Sequence, residues 1–223
     1  MEKFGTGGAN ITVYKNIPVG GGLGGSSADA AGVINALAKL YGITDTPALK
    51  ELADELGSDT GYLLGGGLAR MRGRGERVER MEETPELYFL LVCPKTGVST
   101  PACYLAYDEL GKRFPPRTER VLSLLEAGNY EWAAKIFGND LSDAAISLNA
   151  EVQETLLALK YLSPLGAGMS GSGSACYAAF PTRELCEWAK SRYRGKGRVY
   201  VVKSVDPANT KKSRNLYSVE ETD

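Results

Sequence analysis

Histidine is absent from the 223 residues. That removes Ser/His/Asp triads, Cys/His dyads and imidazole metal sites, and leaves acid or base chemistry to Asp, Glu, Lys or Tyr. The four cysteines, Cys93, Cys103, Cys176 and Cys186, form no C-x-x-C pair. This argues against a zinc knuckle or a thioredoxin-like redox motif and for reduced, packed thiols. Net charge is nearly absent too, with 26 basic side chains against 27 acidic, a balance of −1. No global field recruits nucleic acid or an anionic membrane surface, so an anionic ligand has to be held locally. Long apolar runs are missing: the longest, Leu87 to Cys93, is seven residues, against the ~20 that span a bilayer. No charged-then-apolar signal opens the chain, and a soluble, cytoplasmic protein is expected.

What is present is enough for a core. At 43% hydrophobic and 24% charged, the chain suits one large domain or two small ones. Glycine is in excess, 27 of 223 residues, and is concentrated at Gly20 to Gly25, Gly65 to Gly67 and Gly166 to Gly173. Three such loops suggest three close backbone approaches. Ile11 to Tyr14 reads as a strand entering the first of them through Pro18. A helix follows, with Ala30, Ile34, Leu37, Ala38 and Tyr41 at helical spacing, Ser26-x-x-Asp29 as a capping box and Gly42 at its end. A second helix is signalled by Thr46 as N-cap, Pro47, the stripe Leu49, Leu52, Ala53 and Leu56, and Gly57. The polar, glycine-punctuated stretch from Gly67 to Met81 suits a hairpin, and Leu87 to Cys93 a buried strand. Helices are expected at 101–110, 118–126, 130–137, 150–161 and 182–193, and strands at 165–169, 175–180 and 198–203. The pattern is α+β, with domains at 1–83 and 84–208 and a loosely held tail at 209–223.

Pro18 to Asp29 places a glycine loop directly before a capped helix. The first N–H groups of a helix lack intrahelical acceptors, the dipole adds positive charge there, and glycines admit phosphate oxygens to the main chain. No lysine precedes Ser26, so this is not a Walker A loop. Gly20-x-Gly22-x-x-Gly25 satisfies the dinucleotide fingerprint formally, but a helix follows the helix where a βαβ unit is required. A turn that merely joins strand to helix is the plainer reading of a lone glycine loop; the glycines together with Ser26 and Ser27 favour phosphate.

Pro18 to Ala31 resembles the ATP-binding motif of the GHMP kinases, such as galactokinase, homoserine kinase and mevalonate kinase. Gly57-Ser58-Asp59, the segment Pro94 to Tyr104 containing Val98-Ser99-Thr100, Gly138-Asn139-Asp140-Leu141 and Met169-Ser170-Gly171-Ser172-Gly173 resemble further motifs of that family, in its order. Within it, the resemblance is strongest to the branch acting on 4-diphosphocytidyl-2-C-methyl-D-erythritol in the methylerythritol phosphate route to isoprenoids. It implies a ribosomal-protein-S5-like N-terminal domain, a ferredoxin-like C-terminal domain, and ATP and substrate in the cleft between them. It also implies transfer of the γ-phosphoryl group to a substrate hydroxyl with magnesium on the phosphates.

Carried over by that resemblance, Asp59 is the catalytic carboxylate, although without the resemblance the cap of a short helix beginning near Thr60 is the favoured reading of that residue. Pro18, Gly20, Gly21, Gly22, Leu23, Gly24, Gly25, Ser26 and Ser27 hold phosphate, Ser27 also touches magnesium, and Lys15 lies near the adenine. Thr100, Tyr104, Ser170, Gly171, Ser172 and Gly173 face the substrate, with Tyr104 stacked on cytosine. The implied partner is a cytidine diphosphate sugar alcohol, with neither nucleic acid nor membrane, and a homodimer is the assembly considered. The chain departs from the family at Thr60-Gly61, where a hydrophobic residue and proline are usual, and at Ser26, where glycine is usual. The family's opening strand, with its lysine, and its Asp-Gly-Tyr-His segment are not found, so the chain is expected to be shortened at its start and a poor kinase alone. Another GHMP kinase acting on homoserine or mevalonate, and a non-catalytic nucleotide-binding remnant, stay open as alternatives.

Overall fold

Between Gly25 and Leu40 apolar residues return every three or four positions, and helix α1 forms there with Ala31, Ile34 and Ala38 buried. The computed structural model describes residues 2–111, 115 and 117–206. Helix α2 (Thr46–Leu56) starts on Asp45, whose carboxylate accepts the Ala48 N–H at 3.0 Å. Thr46, expected as the cap, is instead the first helical residue, because Asp one position earlier offers the stronger acceptor. A single turn, α3 (Thr60–Leu63), follows. The expected hairpin is β1 (Ala69–Arg72) paired antiparallel with β2 (Arg77–Arg80).

The strand expected at Ile11 to Tyr14 does not form. These residues have no ladder partner among the described residues, and Ile11, Val13 and Tyr14 are 55%, 44% and 81% exposed. Their β-branched and aromatic side chains favour a pleated, packed surface, and without neighbours to supply one the preference has nothing to act on.

The chain divides into two compact units. Among the described residues, one holds 2–16, 24–84 and 205–206, and the other holds 17–23 and 85–204. The expected division put all of 1–83 in the first domain; segment 17–23 instead packs with the second unit. The expected tail at 209–223 lies outside the described residues.

The second unit is built on β3 (Tyr88–Cys93), followed by α4 (Thr100–Leu110), α5 (Thr118–Glu126), α6 (Tyr130–Lys135), α7 (Ser142–Leu148) and α8 (Ala150–Lys160). Then come β4 (Gly166–Met169), β5 (Cys176–Phe180), α9 (Arg183–Arg192) and β6 (Arg198–Lys203). The four strands form one antiparallel sheet in the order β4-β5-β3-β6. With a crossover of helices after the first strand and α9 before the last, this is the ferredoxin-like arrangement expected for that half. Leu90, Val92, Leu159, Met169 and Cys176 lie at or near zero exposure in its core, each large aliphatic contributing roughly 1.5–3 kcal/mol by burial. Helix α7 is not foreseen from the sequence. It is short, and Asn149 ends it while also capping α8 by accepting the Glu151 N–H at 3.0 Å. All four cysteines are free and buried. Burial pushes the Cys176 thiol up to about 12, as suits an inert packing residue.

Candidate active site

In the first unit, α1 opens without a cap. Gly24 holds the N-cap position with φ +65°, no side-chain cap bond is made there, and no acidic residue occupies the first turn. The first helical bond runs from Ala28 N–H to the Gly24 carbonyl at 2.8 Å, so the N–H groups of Gly25, Ser26 and Ser27 precede it and have no helical acceptor. The expected capping box is therefore not made. Because the helix begins at Gly25, Ser26 sits inside it, and the Asp29 carboxylate pairs with the Lys15 ammonium instead. Ser26 is exposed and Ser27 half-buried.

Asp59 stands at the N-cap position of α3, exposed, with no side-chain cap bond. Its carboxylate is not consumed by the helix, so the capping alternative fails. The turn that carries it is held from several sides. Thr60 N–H donates to Gly57 O at 3.0 Å and Leu63 N–H to Asp59 O at 3.0 Å. From β2, the Arg80 guanidinium donates to Tyr62 O at 2.9 Å, and the Tyr62 hydroxyl donates to Gly67 O at 2.6 Å. Burial raises the Tyr62 phenol, with Arg80 opposing the shift.

In the second unit, residues 20–22 are fastened by their carbonyls. Gly20 O accepts from Val98 N–H at 3.4 Å and Ser174 N–H at 3.3 Å, and Gly21 O from Ala175 N–H at 3.0 Å. Gly22 O accepts the Ser170 hydroxyl at 2.9 Å. Gly22 has φ +68°, and a methyl group on it would press on Ser170 O and lie 2.8 Å from Gly173 N. The turn at 170–173 is clamped by Asn139, whose amide nitrogen donates to Met169 O at 3.0 Å and Gly171 O at 2.6 Å. The Thr100 and Ser172 hydroxyls share a 2.7 Å hydrogen bond. On α4, Tyr104 is 55% exposed.

The chain matches the model of the GHMP kinases N terminal domain over residues 1–68 and that of the GHMP kinases C terminal domain over 121–194. It is 38% identical over 188 residues to a 4-diphosphocytidyl-2-C-methyl-D-erythritol kinase of Pelotomaculum thermopropionicum, covering 84% of this chain and 66% of the relative. A protein of the same name from Desulfitobacterium hafniense is 36% identical over 211 residues, covering 91% of this chain and 71% of the relative. The chain belongs to the GHMP kinase family. A crystal structure of 4-(cytidine 5'-diphospho)-2C-methyl-D-erythritol kinase superposes with a TM-score of 0.70 at 33% identity, covering 85% of this chain and 68% of that one. This GHMP kinase chain spans 57% to 66% of the length of four of the curated relatives it matches.

The residues named from the GHMP kinase resemblance fall in both units. Lys15, Gly24, Gly25, Ser26, Ser27 and Asp59 lie in the first; Pro18, Gly20, Gly21, Gly22, Leu23, Thr100, Tyr104, Ser170, Gly171, Ser172 and Gly173 lie in the second. Within the second, the structure brings Gly20 to Gly22 together with Ser170 and Gly173, and Thr100 together with Ser172. The phosphates of a nucleotide fit the open start of α1, where donors are unspent and a methyl group on Gly24 would meet only Leu63 Cδ1, at 3.7 Å. No group of three His, Cys, Asp or Glu side chains able to hold a metal exists among the described residues. A magnesium ion bound with a nucleotide would find an oxygen donor in the Ser27 hydroxyl, in the first turn of α1. Sequence reasoning gave no role to Asn139, Arg80 or Thr60. Only Asn139 lay in a motif, and its partners are 30 and 32 residues away.

Proposed function

We propose that this chain serves ATP-dependent phosphorylation of a hydroxyl on the erythritol portion of 4-diphosphocytidyl-2-C-methyl-D-erythritol, a step of the methylerythritol phosphate route to isoprenoids. The observation that carries the reading is the uncapped, acid-free start of α1 in a chain 38% identical to a kinase of that name. GHMP kinases use ATP as the phosphate donor. The N–H groups of Gly25, Ser26 and Ser27 bind its phosphate oxygens, supported by the positive end of α1. Magnesium, when bound with the nucleotide, neutralises phosphate charge, and Ser27 is the side chain that holds it.

Asp59, exposed and free of any cap bond to α3, orients the substrate hydroxyl and accepts its proton, since the chain has no histidine to do so. Tyr104 presents an exposed ring for the cytosine, where stacking contributes ~1–3 kcal/mol. Thr100 and the turn Ser170 to Gly173 supply polar groups for the rest of the substrate. The reading carries with it a cytoplasmic location and a homodimer, checkable by cell fractionation and sedimentation.

The test measures ATP binding and substrate-dependent ADP release for the parent and for Asp59→Asn. Turnover of the variant is expected to fall by ~10² or more, with ATP affinity within about twofold of the parent. Turnover within a few-fold of the parent would remove Asp59 from the chemistry. ADP release driven by homoserine or mevalonate instead would reassign the substrate, and ATP binding without turnover on any of the three alcohols would leave a nucleotide-binding protein.

A further inference from the structure

Thr60 is 1% exposed, and its hydroxyl oxygen is buried without a hydrogen-bond partner. It immediately follows Asp59 and is the first residue of α3. A buried hydroxyl left unsatisfied is costly, so the Thr60 hydroxyl calls for a partner. The surroundings narrow what this one can serve. A methyl group placed on Gly57 would lie 3.1 Å from Thr60 Oγ1 and 3.6 Å from Ser27 Oγ, so the two hydroxyls approach Gly57 on the same side. Ser27 is half-buried in the first turn of α1, and its hydroxyl has no side-chain hydrogen bond among the described residues. Two unspent hydroxyls therefore face one small gap, kept open by the lack of a side chain at Gly57.

We propose that Thr60 is a positioning residue for Ser27. A change of rotamer at Ser27 lets its O–H donate to Thr60 Oγ1, which satisfies the buried oxygen and turns the Ser27 lone pairs away from the protein. A serine oxygen held this way suits a cation and no longer offers its proton to a phosphate oxygen. The inference rests on the proposed nucleotide site, and it assigns the Thr60 hydroxyl to the magnesium-dependent part of ATP binding alone. The backbone donors of Gly25 and Ser26 carry the metal-free part and do not involve Thr60.

The experiment compares the parent with Thr60→Val, which keeps the shape and removes the hydroxyl, and with Thr60→Ser, which keeps the hydroxyl. ATP binding is measured by calorimetry with magnesium and with EDTA. Thr60→Val is expected to weaken binding about fivefold in magnesium and by less than about twofold in EDTA, while Thr60→Ser behaves as the parent. Equal affinities of Thr60→Val and parent under both conditions would overturn the proposal, as would a loss that is the same with and without metal.

Thermal stability of the ligand-free chain supplies a second arm, through Ser27→Ala, Thr60→Val and the double variant. Coupling between the two sites supports the pair, and strict additivity overturns it. Should Thr60→Val fail to fold, Thr60→Ala, which also removes the hydroxyl, takes its place in the same cycle with Ser27→Ala. A parent that binds no ATP in either condition would overturn the nucleotide reading itself, and the stability cycle would still decide whether Thr60 and Ser27 interact.

Discussion

Gly20 to Gly22 and Gly24 to Ser27 are adjacent in the chain, alike in composition, and used in opposite ways. In the first stretch all three carbonyls accept hydrogen bonds from the second unit, from Val98, Ser170, Ser174 and Ala175. In the second stretch the N–H groups of Gly25, Ser26 and Ser27 have no acceptor among the described residues. Gly22 and Gly24 even have nearly the same φ, +68° and +65°. What separates them is what a side chain would meet: backbone atoms of Ser170 and Gly173 at Gly22, and only Leu63 Cδ1 at Gly24. One glycine is required by the protein's own backbone, and the other leaves room for something else. A loop recognised by its glycines thus contains an anchored part and a receptive part, and only the inventory of hydrogen-bond partners tells them apart.

Alanine at each position gives the largest test of that contrast. Both variants bear the same penalty for a left-handed alanine, roughly 1–2 kcal/mol, so their difference isolates packing. Gly22→Ala is expected to lose about 2 kcal/mol more stability than Gly24→Ala in urea unfolding, as overpacking against backbone does. Equal losses would break the comparison.

Next in size is the effect on ligand. Gly24→Val in a folded chain is expected to weaken ATP binding by at least tenfold, about 1.4 kcal/mol, measured by calorimetry. Unchanged affinity would place the phosphates elsewhere than at the start of α1. The smallest effect is expected for Ser170→Ala, which deletes the 2.9 Å bond to Gly22 O. A loss of about 1 kcal/mol in unfolding free energy, with ATP affinity in the absence of second substrate unchanged, would sharpen the view that this bond only anchors.

Legibility in the sequence followed the range of the forces involved. Helices α1 and α2 are readable because their apolar stripe and end signals are local, and β3 and β5 because each is a short apolar run bounded by turns. Ile11 to Tyr14 misled because a strand is a property of two segments, and only one was in view. The Ser26-x-x-Asp29 capping box misled because Lys15, fourteen residues away from Asp29, offered that carboxylate a better partner. At the candidate site, the glycine loop and Asp59 could be named from motif order. The anchoring of Gly22 by Ser170 spans 148 residues, and the Arg80 support of α3 spans 18. Thr60 read only as a departure from a familiar pattern, since its orphaned hydroxyl is a matter of burial that no local spacing encodes.

The Asn139 clamp makes the turn at 170–173 depend on the chemical age of one amide. Its nitrogen donates to Met169 O and Gly171 O, while its oxygen accepts the Leu141 N–H at 2.9 Å. Spontaneous hydrolysis to aspartate would keep the size and the accepting oxygen but replace a double donor with a charged acceptor facing two carbonyls. A change of about one mass unit would thereby turn two attractions into two repulsions beneath the turn, with no alteration in shape to announce it.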